Sequence, residues 1–264
     1  YSFLMRYYEP GDRVYLFGFS RGAYTVRALA GMLHLCGLLK VGNENLIDHA
    51  ISRYFEKIPQ GDSQKAKEKR TAFWKSKARF KKRFSRKCFV SFVGVWDTVK
   101  SVGIFRRSLV LPNTATLSNV HAGRHAVSLD EKRSKYRPNL WNHPDGAEFQ
   151  QMWFPGVHSN VGGGYEDSGL SDIALTWMIQ EVQSATDIIF EESPLKELAP
   201  DPMRKLENPL WPFWWVLGWW SRRPRPSASG GSILLHPSVC ERAKQDPKYM
   251  QKLRRQMPPG FECP

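Results

Sequence analysis

The chain is poor in cysteine and in acid, and it lacks any long apolar run. Its four cysteines among 264 residues, Cys36, Cys88, Cys240 and Cys263, show no C-x-x-C spacing. Neither a zinc site nor a disulfide scaffold is therefore expected, and a reducing compartment is the simpler assumption. No stretch approaches 18 consecutive apolar residues, which argues against a membrane-spanning helix. The opening "YSFLMRYYEPGDR" lacks the basic, apolar, small-residue order of a signal peptide, so a cytoplasmic or peripheral membrane location is expected. Acidic residues number 25 against 39 Lys and Arg, a net charge of +14. That balance points to anionic partners, phospholipid surface or nucleic acid, and charge alone does not choose between them.

What is present follows an α/β order. Residues 13 to 19, "RVYLFGF", read as a buried strand, and residues 21 to 38 as a helix with small side chains for close packing on a sheet. Between Lys65 and Lys87 about a dozen Lys or Arg stand against one acid, interleaved with Phe73, Trp74, Phe80 and Phe84. This reads as a basic amphipathic helix inserted between core elements at about residues 60 to 87. "CFVSFVGVWDT" is a second strand ending at Trp96 and Asp97. Residues 118 to 131 have helical spacing, with His121 and His125 on one face. "AEFQQMWFPGV" is a third strand running into a glycine-rich loop after His158, and "LSDIALTWMIQEVQ" a helix capped by Ser171 or Asp172.

Beyond that, "PLWPFWWVLGWWSRRPRPSASGG" packs five tryptophans ahead of an arginine, proline and serine linker. The expected division is a catalytic domain over residues 1–200 and a C-terminal extension over 201–264. Strands alternating with helices favour a mostly parallel sheet flanked by helices. The chain opens at Tyr1 and leads straight to its first strand, so further N-terminal strands are expected upstream.

The chemistry centres on "GFSRG", Gly18 to Gly22, placed between strand and helix. A G-x-S-x-G elbow in that context holds a serine exposed on a strained turn. A serine hydroxyl needs an adjacent base, itself oriented by an acid, and in this fold each follows a strand. Of the seven histidines, His158 alone follows a strand and enters a glycine loop, which makes it the candidate base. Asp97 follows the second strand and is the candidate acid; Asp172 is the alternative, although its position suits a helix cap. The backbone N–H groups of Arg21 and Gly22 sit where an oxyanion would form. Gly162, Gly163 and Gly164 either let backbone approach the substrate or merely relieve crowding around His158.

Four blocks in order, "YEPGDRVYLFGFSRGAYTVRALAGML", "VGVWDTVKSVG", "HAVSLDE" and "WFPGVHSNVGGGYEDSGLSDIALTWM", resemble an uncharacterised α/β-hydrolase family. That family includes the catalytic domain of the type VI secretion phospholipase effectors. The resemblance covers about residues 7 to 185. It implies an α/β-hydrolase-like fold and a triad of Ser20, Asp97 and His158 acting on lipid esters, without metal or organic cofactor. Two departures stand out. Asn160 replaces an aspartate usual in the family, and the family's N-terminal strand with its D-G-T motif is absent. The expected activity is serine carboxylester hydrolysis, phospholipase-like, with a lipid or other ester as substrate and an anionic membrane surface as partner. The alternative is a catalytically weak member that binds membranes or proteins. Nucleic acid is a poor fit, because the basic runs carry no recognised motif or stacking platform.

Overall fold

The structure is a computed structural model that describes residues 1–99, 119–133, 136, 138–141, 149–207, 233–257 and 263. The chain starts with helix α1 (Ser2–Tyr7), strand β1 (Val14–Phe19), helix α2 (Arg21–Cys36) and strand β2 (Leu38–Leu39). Helices α3 (Ile47–Phe55) and α4 (Gln64–Phe84) follow, then strands β3 (Ser85–Arg86), β4 (Val90–Trp96), β5 (Val120–Ser128) and β6 (Phe149–Phe154). After these come helices α5 (His158–Gly162), α6 (Gly169–Ala185) and α7 (Glu192–Leu195), strand β7 (Leu234–Leu235), and helices α8 (Pro237–Gln245) and α9 (Pro247–Gln256). The tryptophan-rich segment and the linker after it lie outside the described residues.

Among the described residues the main sheet has the order β1-β4-β5-β6-β7, and every pairing in it is parallel. Strands buried on both faces read as apolar runs rather than as alternating patterns. β4 shows why: Val93 and Val95 pack on the layer made by α1 to α4, while Phe92 packs with Met178 and Trp177 of α6 on the other face. A third cluster joins Val127 and Trp153 to Val239, Tyr249 and Leu253 of α8 and α9. The protein therefore has an α/β fold, a mostly parallel sheet flanked by helices. Among the described residues, no helix is long and apolar enough to cross a membrane.

Three sequence expectations are corrected here. The helix expected over residues 118 to 131 does not form among its described residues, 119 to 131: Val120–Ser128 is the interior strand β5. His121 and His125 do share a face, but residues four apart share one on a strand as well as on a helix, so the spacing could not discriminate. The α6 helix is not capped by Ser171 or Asp172; it begins at Gly169, and Ser168 donates its hydroxyl to Asp172 at 2.9 Å. Lastly, Cys240 and Cys263 are joined in a disulfide, with Cα atoms 5.3 Å apart. They lie 23 residues apart in sequence, and Cys263 packs against the third cluster, so tertiary folding rather than spacing makes the pair.

Candidate active site

Ser20, Asp97 and His158 follow the carboxyl ends of the parallel strands β1, β4 and β6, where open α/β sheets present their ligands. β1 ends at Phe19 and α2 begins at Arg21, so the whole turn is made by Ser20. Its backbone takes φ 58 and ψ −117, a conformation that a residue with a Cβ adopts only at a cost. The turn brings strand and helix so close that a Cβ on Gly18 would sit 2.6 Å from the Gly22 carbonyl oxygen. A Cβ on Gly22 would meet nothing within 4 Å. The two glycines of the motif are thus unequal: the first permits the crossing, and the second is sterically free.

Asp97 continues the same logic one strand over. It directly follows β4, has a positive φ of 37 and is fully buried. Its amide donates to the Ala126 carbonyl at 2.7 Å, and the Ser20 amide donates to the Trp96 carbonyl at 3.0 Å, so both residues extend the sheet ladder. His158 starts α5 rather than an open loop. Its Nδ1 lies 2.6 Å from Asp97 Oδ2 and its Nε2 lies 2.7 Å from Ser20 Oγ. A buried carboxylate accepts, so Nδ1 carries the proton and Nε2 is left to accept from the serine hydroxyl. The Phe19 ring is 4.5 Å from the imidazole and the Tyr136 ring meets it edge-on at 4.7 Å.

Several supporting residues escaped the sequence reading. Ser128, the last residue of β5, donates its hydroxyl to Asp97 Oδ2 at 2.8 Å and its amide to Oδ1 at 3.1 Å. Two residues on, Asp130 accepts the Gly156 amide at 2.7 Å, and Glu131 accepts the His158 amide at 3.2 Å. Adjacent carboxylates thereby grip the turn that carries the imidazole at alternate amides. Burial opposes ionisation of Glu131, but hydrogen bonds and charge from Arg133, with the amides of Arg133 and His158, outweigh it. The carboxyl is held below its usual range. Arg133 in turn lies 3.8 Å over the Tyr136 ring. The only sequence signal for this support was the "HAVSLDE" block itself.

Arg21 and Gly22 form the first turn of α2, directly after Ser20. Gly162 leaves room for Phe19, whose ring would lie 2.0 Å from a Cβ there. Gly163 and Gly164 take φ values of 85 and 108 that favour glycine. Asn160 is buried, and its Oδ1 accepts the amides of Val157 at 3.2 Å and Glu207 at 3.3 Å, contacts that an aspartate oxygen could also accept. The carboxylate of Asp172 is engaged by Ser168 and by the Ala199 amide at 3.0 Å. His125 is buried and accepts the Thr98 amide at 3.0 Å. Among the described residues no group of His, Cys, Asp and Glu could hold a metal ion.

A hydroxyl, an imidazole and a carboxylate bonded in series at the carboxyl edge of a parallel sheet is the arrangement shared by serine hydrolases of the α/β class. Comparison with known proteins carries this further. Residues 1–181 match the model of the family described as T6SS, phospholipase effector Tle1-like, catalytic domain, and the chain belongs to that family. An uncharacterised protein of Saccharomyces cerevisiae, YEL023C, is 46% identical over 139 residues, which are 52% of this chain and 20% of the yeast protein. The crystal structure of an uncharacterised protein from Pseudomonas aeruginosa is similar with a TM-score of 0.43 and 20% identity, over 74% of this chain and 28% of that one. The Tle1 effector bound to the VgrG spike of the type 6 secretion system is similar with a TM-score of 0.33 and 23% identity, over 58% of this chain and 25% of that one. The chain therefore spans between a fifth and a third of the length of these relatives.

Proposed function

We propose that the protein is a serine carboxylester hydrolase whose substrates are lipid esters. The observation that carries the reading is the unbroken hydrogen-bond series from Ser20 Oγ through His158 to Asp97, with separations of 2.7 and 2.6 Å. Ser20 Oγ attacks the ester carbonyl carbon while its proton passes to His158 Nε2. Asp97, held by Ser128, keeps the imidazole in the accepting tautomer and stabilises the imidazolium. Backbone N–H groups at Arg21 and Gly22 face the developing oxyanion, as the first turn after an elbow does. Collapse breaks the ester C–O bond, and His158 returns the proton to the departing alkoxide. Water, deprotonated by the same nitrogen, then releases the acid and frees Ser20. Membership of a phospholipase effector family supports lipid as the acyl source.

Labelling with a fluorophosphonate probe and turnover of a short-chain ester test this. The 264-residue chain should react, and Ser20→Ala should lose labelling and about 10⁴-fold or more in kcat. Turnover by Ser20→Ala within tenfold of the parent would overturn the assignment.

A further inference from the structure

Among the described residues, helix α4 packs on the body of the protein through one side. Its 21 residues hold ten Lys or Arg and a single acid, Glu68. The inward side is spoken for. Phe80 is buried, Lys77 is buried between the Arg53 carbonyl and Glu56, and Lys81 donates to the His34 carbonyl at 2.7 Å. At 100° per residue, Lys67, Thr71, Trp74, Lys75, Ala78 and Lys82 fall on one stripe turned away from Phe73, Lys77, Phe80 and Phe84. All six stripe residues are exposed. Among the described residues, none of Lys67, Lys75 and Lys82 has an acidic partner. Trp74 is 39% exposed and meets Phe73 edge-on at 5.1 Å.

We infer that this outer stripe of α4 is a docking surface for an anionic lipid bilayer, laid parallel to the membrane plane. Lys67, Lys75 and Lys82 lie at about two-turn intervals and supply charge along its length, and Trp74 stands in the middle at headgroup depth. An indole among lysines suits a headgroup interface, where an apolar body and a cation are both satisfied. The stripe offers one aromatic ring and no row of rings on which successive bases would stack. The helix is an anchored platform: Lys81 ties it to α2, and Ser85, just after it, donates to the Cys36 carbonyl at 2.7 Å. Because α2 starts directly after Ser20, docking through α4 would hold the elbow at a fixed attitude to the bilayer. This last step rests on the lipid-ester reading; the docking itself does not.

Sedimentation with vesicles of phosphatidylcholine alone, and of phosphatidylcholine mixed with phosphatidylserine, tests it. The chain should partition onto the mixed vesicles and not onto the neutral ones. Combining Lys67→Gln, Lys75→Gln and Lys82→Gln should weaken that binding by about fivefold per charge, on the order of 100-fold together. Raising salt to 1 M, where the screening length falls to about 3 Å, should do the same to the parent. Trp74→Ala should weaken binding while leaving the salt slope unchanged. Thermal melts show that the variants fold, and turnover of a soluble short-chain ester should be equal in parent and triple variant while vesicle-lipid hydrolysis falls in the variant. Absence of all ester turnover would remove the hydrolase reading and leave the sedimentation result standing. Equal binding to neutral and mixed vesicles, undiminished binding by the triple variant, or displacement of the parent from vesicles by an oligonucleotide at lower concentration than by lipid would overturn the docking inference.

Discussion

Tyr249 of α9 donates its hydroxyl to Asp130 at 3.0 Å, and the same carboxylate oxygen accepts the Gly156 amide, two residues ahead of His158. Lys252, one turn further along α9, reaches the other oxygen at 2.5 Å. Burial, reinforced by the Asp130 charge, keeps the Tyr249 phenol protonated well above its ordinary range, so the donor persists at any working pH. A helix beyond residue 181, where the family match ends, thus helps hold the turn that carries the imidazole.

Tyr249→Phe keeps the ring in the third cluster and deletes only this donor. The expected cost is about 1–3 kcal/mol of stability, because a buried charged acceptor loses a partner. For a chain of this size each kcal/mol lowers Tm by about 2–4 °C. Calorimetry of parent and variant reads the shift directly; an unchanged Tm would mean that Lys252 and Gly156 satisfy Asp130 on their own.

The unequal glycines of the elbow make a sharper test. Gly18→Ala should fail to fold or lose nearly all activity, since its Cβ would press on backbone, which cannot swing aside. Gly22→Ala meets open space and replaces a helical glycine, so it should be neutral or stabilising by up to about 1 kcal/mol. Parallel measurement of soluble yield, Tm and ester turnover decides it, and equal damage at both positions would mean the crossing geometry is wrong.

Acid should weaken the fold through His236. Desolvation by burial pushes its pKa down from 6.5 to about 4. The neutral ring accepts the Ser238 amide at 3.3 Å at the start of α8 and stacks on Phe154 at 4.7 Å. In the unfolded chain the ring takes up its proton near pH 6.5, while in the fold it resists until about pH 4. Stability is therefore whole above pH 6.5 and drains away as pH falls toward 4. Partial exposure limits the loss to on the order of 1–2 kcal/mol. Urea melts at neutral pH and at pH 4.5 should show a smaller drop for His236→Asn, which keeps a capping oxygen without a titrating group.

The parts of this molecule that were readable from its residues are the local ones. The strand, turn and helix around Ser20 are contiguous, and their apolar spacing and glycines carry the information within ten residues. β4 announces itself as an apolar run for the same reason, and β6 through Met152, Trp153 and Phe154 ahead of Pro155 and Gly156. β5 did not, because its buried strand is studded with Gly123, Arg124 and His125, and a four-residue repeat fits either regular structure. Ser128 and Glu131 were invisible as supports, since their partners lie 31 and 27 residues away and meet them only through the parallel register. The disulfide is hidden for a like reason: nothing in its spacing encodes the packing that closes it.

Ser20 and Asp97 are fastened to the hydrogen-bond ladder of the sheet by their own amides, although 76 residues, including the whole of α4, intervene between them. Their separation is a matter of strand spacing, indifferent to how much chain loops out between. Such an arrangement lets the excursion be lengthened, recharged or exchanged while the hydroxyl and the carboxylate stay put. Descendants of one chemistry can then be readdressed to new surfaces by grafting, and a designer wishing to redirect this protein would rewrite residues 40 to 85 and leave the strand ends alone.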